Sequence, residues 1–184
     1  MNESNIKNTY KSQIIASSND NFTIELLTSL DDLTAKNILT VSEDLRDIYG
    51  PNSILNESNI KKYFNETTLP FIAKYNNQII GFIIGAPLEN FSNQSWVQLD
   101  ENLNKNNTLY TYAFVFKSKF RKKGGFSKTL KKIYISWAKK RNFTYVTGHI
   151  SKNIFKIKND LELVKEYSVW YDSKEPFIYY RKKI

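Results

Sequence analysis

The chain reads as a single α/β domain of the α+β kind, and three features of its 184 residues lead to that reading. Apolar runs of strand length alternate with apolar stripes of helical period. Hydrophobic residues make up 41% of the chain and aromatic residues 15%, enough for a sizeable core at this length. Neither a repeat nor a composition break interrupts residues 21–184, which form one domain behind a polar stretch, residues 1–20, that is a loose lead-in or an extra edge element.

The elements follow in order. Phe22 to Leu27 reads as a first strand. Ser29 is an N-cap candidate for a helix through Leu33, Ile38, Val41 and Leu45, closed by Gly50-Pro51. Asn56 or Ser58 opens a second, short helix through Phe64. Leu69 to Tyr75 and Gln78 to Ala86 are two strands around the Asn76-Asn77 turn, a hairpin signal. A long connection, Leu88 to Asn107, carries Trp96, Asp100 and Glu101.

The stretch from Thr108 to Arg141 organises the rest. Leu109 to Phe116 is almost entirely aromatic, β-branched or small, which suits a central strand covered on both faces. Lys117, Lys119, Arg121, Lys122 and Lys123 then place five cations within seven residues, closed by Gly124-Gly125. From Phe126 the apolar positions Leu130, Ile133, Tyr134, Trp137 and Ala138 trace a helix stripe. The helix therefore starts where the glycines end, and its first unpaired N–H groups and positive dipole end face the basic loop. That is an anion site suited to a diphosphate. Beyond it, Tyr145 to Ile150 is a strand, Ser151 to Asp160 a short polar segment, and Leu161 to Tyr171 and Pro176 to Lys182 are terminal strands joined by a turn at Asp172-Ser173-Lys174.

Composition removes whole classes of function. The chain has no cysteine and one histidine, His149, which excludes disulfides, thiol nucleophiles and thiolate metal sites and leaves no histidine-based zinc site. The amino terminus lacks the apolar core of a signal peptide and the longest apolar run is far below spanning length, so the expectation is a cytoplasmic protein without a membrane segment. A net charge of +9 fits nucleic acid, an acidic surface or a polyanionic cofactor. Both common phosphate loops fail on spacing: neither Gly-x4-Gly-Lys-Ser/Thr nor Gly-x-Gly-x-x-Gly occurs.

What Arg121-Lys122-Lys123-Gly124-Gly125-Phe126 does resemble is the pyrophosphate motif of the GNAT superfamily of N-acetyltransferases, Q/R-x-x-G-x-G/A. Arg121 and Gly124 match it, and Phe126 stands where the motif ends in a small residue. The strand before the loop, the helix after it and the next strand fall in the superfamily's order, so the resemblance covers most of residues 21–184. It implies a mixed, twisted sheet of about six to seven strands flanked by helices. The two central strands, here Leu109 to Phe116 and Tyr145 to Ile150, would splay apart to admit acetyl-CoA. It assigns the donor, acetyl-CoA, to Phe114, Val115 and Phe116, with a backbone N–H near Val115 or Phe116 on the thioester oxygen. Arg121, Lys122, Lys123, Gly124, Gly125, Phe126 and Ser127 would hold the pyrophosphate, and Asn153 the cofactor arm. No metal is implied.

The implied reaction is direct transfer of the acetyl group to a primary amine of a small molecule or a protein. Two roles usual in the family are unfilled at their usual positions: Leu109 to Phe116 contains no carboxylate, and Ser151 to Asp160 contains no tyrosine. His149 is the substitute base, since an ordinary imidazole titrates near neutrality. Tyr110 and Tyr112 share a strand face and are the other catalytic candidates. Glu89, Asp100 and Glu101 are candidates for holding a cationic amine, and Trp170 and Tyr171 for walling the acceptor site. A CoA-binding domain without catalysis is an alternative. A basic nucleic-acid module ranks lower, because basic and aromatic residues are not interleaved as RNA recognition requires. A homodimer is left open.

Overall fold

The computed structural model describes residues 11–18, 21–53, 55–155 and 161–184. Its centre is an eight-stranded sheet in the order β1-β2-β3-β4-β5-β6-β8-β7. The strands are β1 (Lys11–Ser17), β2 (Phe22–Ser29), β3 (Leu69–Tyr75), β4 (Gln78–Pro87), β5 (Thr108–Phe116), β6 (Tyr145–Ser151), β7 (Leu161–Tyr167) and β8 (Phe177–Lys183). Every neighbouring pair is antiparallel except β5 and β6. The sheet is thus mixed, with one strand more than the sequence suggests, because Lys11–Ser17 pairs with β2 at the edge. Residues 1–10 lie outside the described residues.

Helices cover both faces. On one side lie α1 (Asp32–Ser42), α2 (Arg46–Tyr49) and α3 (Ile60–Tyr63), and on the other the long α4 (Phe126–Lys140). Ile38, Val41, Leu45 and Ile60 pack with Leu27, Ile72, Phe82, Ile84 and Val115 on the first side. Leu130, Tyr134 and Ala138 pack with Ile24, Phe71, Ile83 and Leu109 on the second. Burying such faces supplies most of the stabilisation, at about 25 cal/mol per Å2 of apolar surface removed from water. α1 begins later than its sequence suggests. β2 runs on through Ser29, whose hydroxyl accepts the Lys11 N–H, so the cap passes to Asp31, which accepts the Thr34 N–H at 2.7 Å. That bond holds the Asp31 carboxyl below its ordinary pKa. The β3–β4 turn carries Asn76 and Asn77 at φ 47° and 62°, the left-handed pair that a two-residue hairpin needs.

The connection from Leu88 to Asn107 is held by a buried charge. Asp100, whose side chain is fully enclosed, accepts from Arg181 at 3.0 Å and from the Tyr179 hydroxyl at 2.6 Å. Arg181 also reaches Glu162 and Glu101, each at 2.8 Å. Asp100→Ala would leave Arg181 and Tyr179 without their buried partner and should destabilise the fold by about 3 kcal/mol. Chemical denaturation checks this, with Glu101→Ala, exposed at the rim, costing less than about 1 kcal/mol.

Candidate active site and its relatives

The site forms where the sheet comes apart. The parallel ladder of β5 and β6 runs from Thr108/Tyr145 to Thr111/Gly148 and stops there, although β5 continues to Phe116 and β6 to Ser151. Two features sit at the parting. β5 carries a bulge: Ile84 pairs with Ala113 and Gly85 with Thr111, so Tyr112 has no partner on β4. The last rung itself is tight, since a Cβ on Gly148 would lie 3.4 Å from the Thr111 Cβ and 3.3 Å from the Tyr180 hydroxyl. Beyond it the β6-facing edge of β5 has no ladder partner, and its backbone groups border a cavity of about 200 Å3. That cavity has walls from both sides of the sheet: Phe114, Lys131 and Tyr134 from one, and Tyr49, Tyr110, Tyr112, His149, Trp170 and Tyr171 from the other.

At the far end of β5 the basic loop turns into α4. Lys122, Gly124 and Gly125 have φ of 60°, 56° and 67°, and Gly125 is the residue that caps α4, with no side chain bonded to the helix end. The first N–H groups of α4 are therefore left for a ligand. Phe126, the departure from the family motif, is folded under the turn. Its ring stacks on Phe22 with centroids 4.6 Å apart and would be 2.7 Å from a Cβ on Gly124. A Cβ on Gly125 would meet nothing within 4 Å, so the large side chain at 126 leaves the other side of the turn open. Lys122 and Lys123 are exposed and Ser127 is half-buried.

Arg121 is differently placed. Its Nε donates to the Phe116 carbonyl at 2.9 Å and its Nη2 to Asp44 at 2.8 Å. Asp44 also accepts from the backbone N–H of Ser118 at 3.0 Å and from the Ser118 hydroxyl. One carboxylate in the turn between α1 and α2 thus fastens both ends of the basic loop, and Arg121 supplies a clamp as well as charge. Nothing in the sequence marks Asp44 for this task, because its partners are more than seventy positions away.

His149 sits in an aromatic cluster. Its Nδ1 is 3.0 Å from the Tyr110 hydroxyl, its ring stacks on Trp170 with centroids 3.4 Å apart, and Tyr179, Trp96 and Tyr167 close around it. Its Nε2 is buried with no hydrogen-bond partner. Burial among these rings lowers its pKa to about 2, so the imidazole is neutral at working pH and a poor base for an ammonium. The ordinary histidine value on which the sequence reading leaned does not survive this desolvation. Burial likewise raises the Tyr110 hydroxyl well above its usual range. Tyr112 stacks on Tyr63 at 3.8 Å, and burial raises its pKa too.

Of the residues singled out in the sequence, Tyr110, Tyr112, Phe114, His149, Trp170 and Tyr171 line the cavity. Val115 and Phe116 continue β5 into the core, with Phe116 packed 2.6 Å from where a Cβ on Gly81 would stand. Asn153 is exposed beside the turn after β6 and does not line the cavity. Asp100 and Glu101 are bonded to Arg181, and one oxygen of Glu89 accepts the Asn106 N–H. The sequence reading missed Tyr49, Tyr134 and Tyr180. Thr111 Oγ1 and the Tyr134 hydroxyl are 3.0 Å apart on the α4 side of the parting, and burial lifts Tyr180 beside them to about 12. No residue spacing could have announced a cluster drawn from β5, α4 and β8.

A sheet parted between two parallel central strands, with a glycine turn and helix start at the end of the first, is the arrangement that the resemblance to the N-acetyltransferases implies. The family model of the acetyltransferase (GNAT) family matches residues 38–155, and the chain belongs to that family. Solved structures share the fold at low identity. A GCN5-related N-acetyltransferase from Kribbella flavida superposes with TM-score 0.64 at 10% identity, over 91% of this chain and 100% of that one. Arabidopsis thaliana Naa50 in complex with the bisubstrate analogue CoA-Ac-MVNAL gives 0.61 at 13%, over 89% and 99%. A GNAT family acetyltransferase from Elizabethkingia anophelis with acetyl-CoA bound gives 0.52 at 16%, over 90% and 99%. A sequence search of curated proteins found no match. Among the described residues no helix is long and apolar enough to cross a membrane, and no cluster of candidate ligands for a metal is present.

His149 is the chain's one histidine, so its imidazole resonance is unambiguous by NMR, and it should show no titration between pH 5 and 9. Because its folded pKa lies below the unfolded value of about 6.5, only the unfolded chain gains the proton as the pH falls below that value. Folding stability should then drop with falling pH by up to about 1.4 kcal/mol per unit from this group, and His149→Phe should flatten that slope. Asp44→Ala frees Arg121 and Ser118, and the cost of re-ordering the loop should weaken acetyl-CoA binding about tenfold in calorimetry.

Proposed function

We propose that the protein transfers the acetyl group of acetyl-CoA to a primary amine. The observation that carries this is the cavity in the parting of β5 and β6, lined from both sides of the sheet, with the Gly124-Gly125 turn at the end of the same strand. In this reading the pyrophosphate lies on the N–H groups of Gly125, Phe126 and Ser127, with Lys122 and Lys123 adding charge. The pantetheine arm follows the unpaired edge of β5, so the thioester reaches the bulge at Tyr112. A backbone N–H of β5 beyond the bulge, at Phe114 or Phe116, holds the thioester oxygen; that of Val115 faces β4, as the Lys117 N–H bond to the Ile80 carbonyl two residues on shows. The neutral amine attacks the carbonyl carbon from the side of Tyr110 and His149. The carbon–sulfur bond breaks, and the proton lost by the new amide nitrogen ends on the CoA sulfur. His149 stays neutral and orients Tyr110. The acetyl-CoA and bisubstrate complexes of structurally similar proteins support the choice of donor.

The second reading is a CoA-binding domain that does no chemistry. It is favoured by two observations: among the described residues the cavity is lined by no carboxylate, and its histidine is held neutral.

Thermal melting separates these readings from a loop that binds nothing. Acetyl-CoA at about 100 times its Kd should stabilise the fold by about 2.7 kcal/mol, a rise in Tm of about 5–10 °C. Lys122→Glu with Lys123→Glu should remove most of that rise without changing the Tm of the free protein. No rise at millimolar acetyl-CoA would discard both CoA readings. A rise without thiol release on any amine would leave the silent binder.

A further inference from the structure

The side of the cavity away from α4 has an unusual wall for a site that must receive a cation. Five aromatic side chains and His149 line it, namely Tyr49, Tyr110, Tyr112, Trp170 and Tyr171, with Leu45 and Ser53 at its edge. Among the described residues no Asp or Glu lines any part of the cavity. Glu89, which keeps one buried oxygen without a partner, does not line the cavity, and four other carboxylates are engaged elsewhere. Asp44 clamps Arg121, Asp100 is bonded to Arg181 and Tyr179, Asp172 accepts from Asn52 at 2.6 Å, and Glu175 accepts from Ser151 at 3.0 Å.

The wall is built, not incidental. Trp170 is fixed from behind by its face-to-face stack on His149 and from its backbone, whose N–H donates to Ser173 Oγ at 3.0 Å. Tyr171 is held in the left-handed region at φ 51°, which turns the chain sharply at the rim. The segment is closed onto the α2 end by the Asn52–Asp172 bond and by Gly50, where a Cβ would stand 2.5 Å from the Asp172 Cβ. Behind it, His149 Nε2 and the hydroxyl of Tyr167, whose ring packs on both His149 and Trp170, are buried without hydrogen-bond partners.

We propose that this half of the cavity is an aromatic box for one primary amine carried on a flat apolar body, an arylalkylamine-type monoamine, and that it rejects polycationic amines. The inference rests on the acetyl-transfer reading above. Aromatic faces attract one ammonium group and bury a flat apolar body against it. They offer no counter-charge for a second or third ammonium, which would be desolvated unpaired in a chain already at net +9. That attraction acts at the exposed rim around Tyr171, whereas at the buried Tyr110–His149 end desolvation outweighs it and disfavours the charged form of the first amine. Its proton passes to solvent water on entry, leaving the neutral nitrogen that attack on the thioester requires.

The experiment is an initial-rate panel at saturating acetyl-CoA, read by thiol release. The chain's lack of cysteine leaves the thiol reagent no protein background. The acceptors are 2-phenylethylamine and tryptamine against spermidine, kanamycin and a short peptide with a free amino terminus. Calorimetry with acetyl-CoA runs alongside. The expected result is a kcat/KM for the arylalkylamines at least about tenfold above every other acceptor. Trp170→Ala should raise their KM about tenfold with the acetyl-CoA Kd unchanged, and Trp170→Phe should restore most of the loss. Preference for spermidine, kanamycin or the peptide overturns the box, as does an arylalkylamine KM indifferent to both substitutions. Acetyl-CoA binding with no acceptor used overturns the box and leaves cofactor recognition standing. Absence of acetyl-CoA binding overturns the function on which the box rests, and the box with it.

Discussion

Everything in this site depends on two parallel strands that stop pairing halfway along. A ladder broken in the middle of a sheet leaves buried backbone groups without partners, which is costly unless something else satisfies them. Here the break is fixed at Thr111/Gly148 by local chemistry on both strands. On β5 the bulge at Tyr112 shifts the phase of the strand, so Tyr110, Ala113 and Val115 belong to one core while Leu109 and Phe116 belong to the other. On β6 the last paired residue is a glycine pressed between Thr111 and Tyr180. What remains open is a line of backbone donors and acceptors along β5, facing a cavity, and such an edge suits an amide-bearing arm such as pantetheine.

The parting would be useless if the basic loop at the end of β5 were loose. Five cations in a short loop repel one another and favour extension. Asp44 opposes this from a helix junction far away in sequence, and it does so with one charged partner and one backbone N–H at opposite ends of a short turn. Phe126 completes the arrangement from below by filling the space among Phe22, Tyr75 and Phe120. A large residue where the family motif prefers a small one is thus accommodated by packing beneath the turn, while Gly125 keeps the other side clear.

Much of this architecture was legible in the sequence because it is local. A run of aromatic and β-branched residues, paired glycines and a stripe of helical period sit within a few tens of residues, and the structure has β5, the turn and α4 in those places. The Asn76-Asn77 hairpin was legible for the same reason. What was hidden is what distance in sequence conceals. The edge strand β1 is polar and is defined by its pairing with β2, not by any pattern of its own. The segment through Trp170 and Tyr171 reads as a strand from its β-branched and aromatic residues, yet β7 ends at Tyr167 and the two rings stand on a loop. His149 is the sharpest case. A sequence reports the residue and its ordinary acidity, whereas its acidity here is decided by Trp170, Tyr179, Trp96 and Tyr167, gathered from the far connection, the last two strands and the loop between them.

That displacement of acidity bears on how such a site removes a proton without a base. A carboxylate beside the amine would hold the ammonium and raise its pKa, so it would have to be offset by a second group that accepts the proton. An apolar aromatic wall acts in the opposite sense, making the charged form the costly one and leaving proton removal to water at the mouth. The buried hydroxyls obey the same logic. Tyr110, Tyr134 and Tyr180 are all pushed to higher pKa by burial, so each stays protonated and serves as a hydrogen-bond donor rather than an anion. In the proposed transfer, a site of neutral donors, backbone N–H groups and aromatic faces would stabilise the developing oxyanion by fixed dipoles. Its catalytic power would then rest on orientation and on the donor's intrinsic reactivity, which is why the clamp at Asp44 and the stack behind Trp170, neither in reach of the reacting atoms, carry so much of the design.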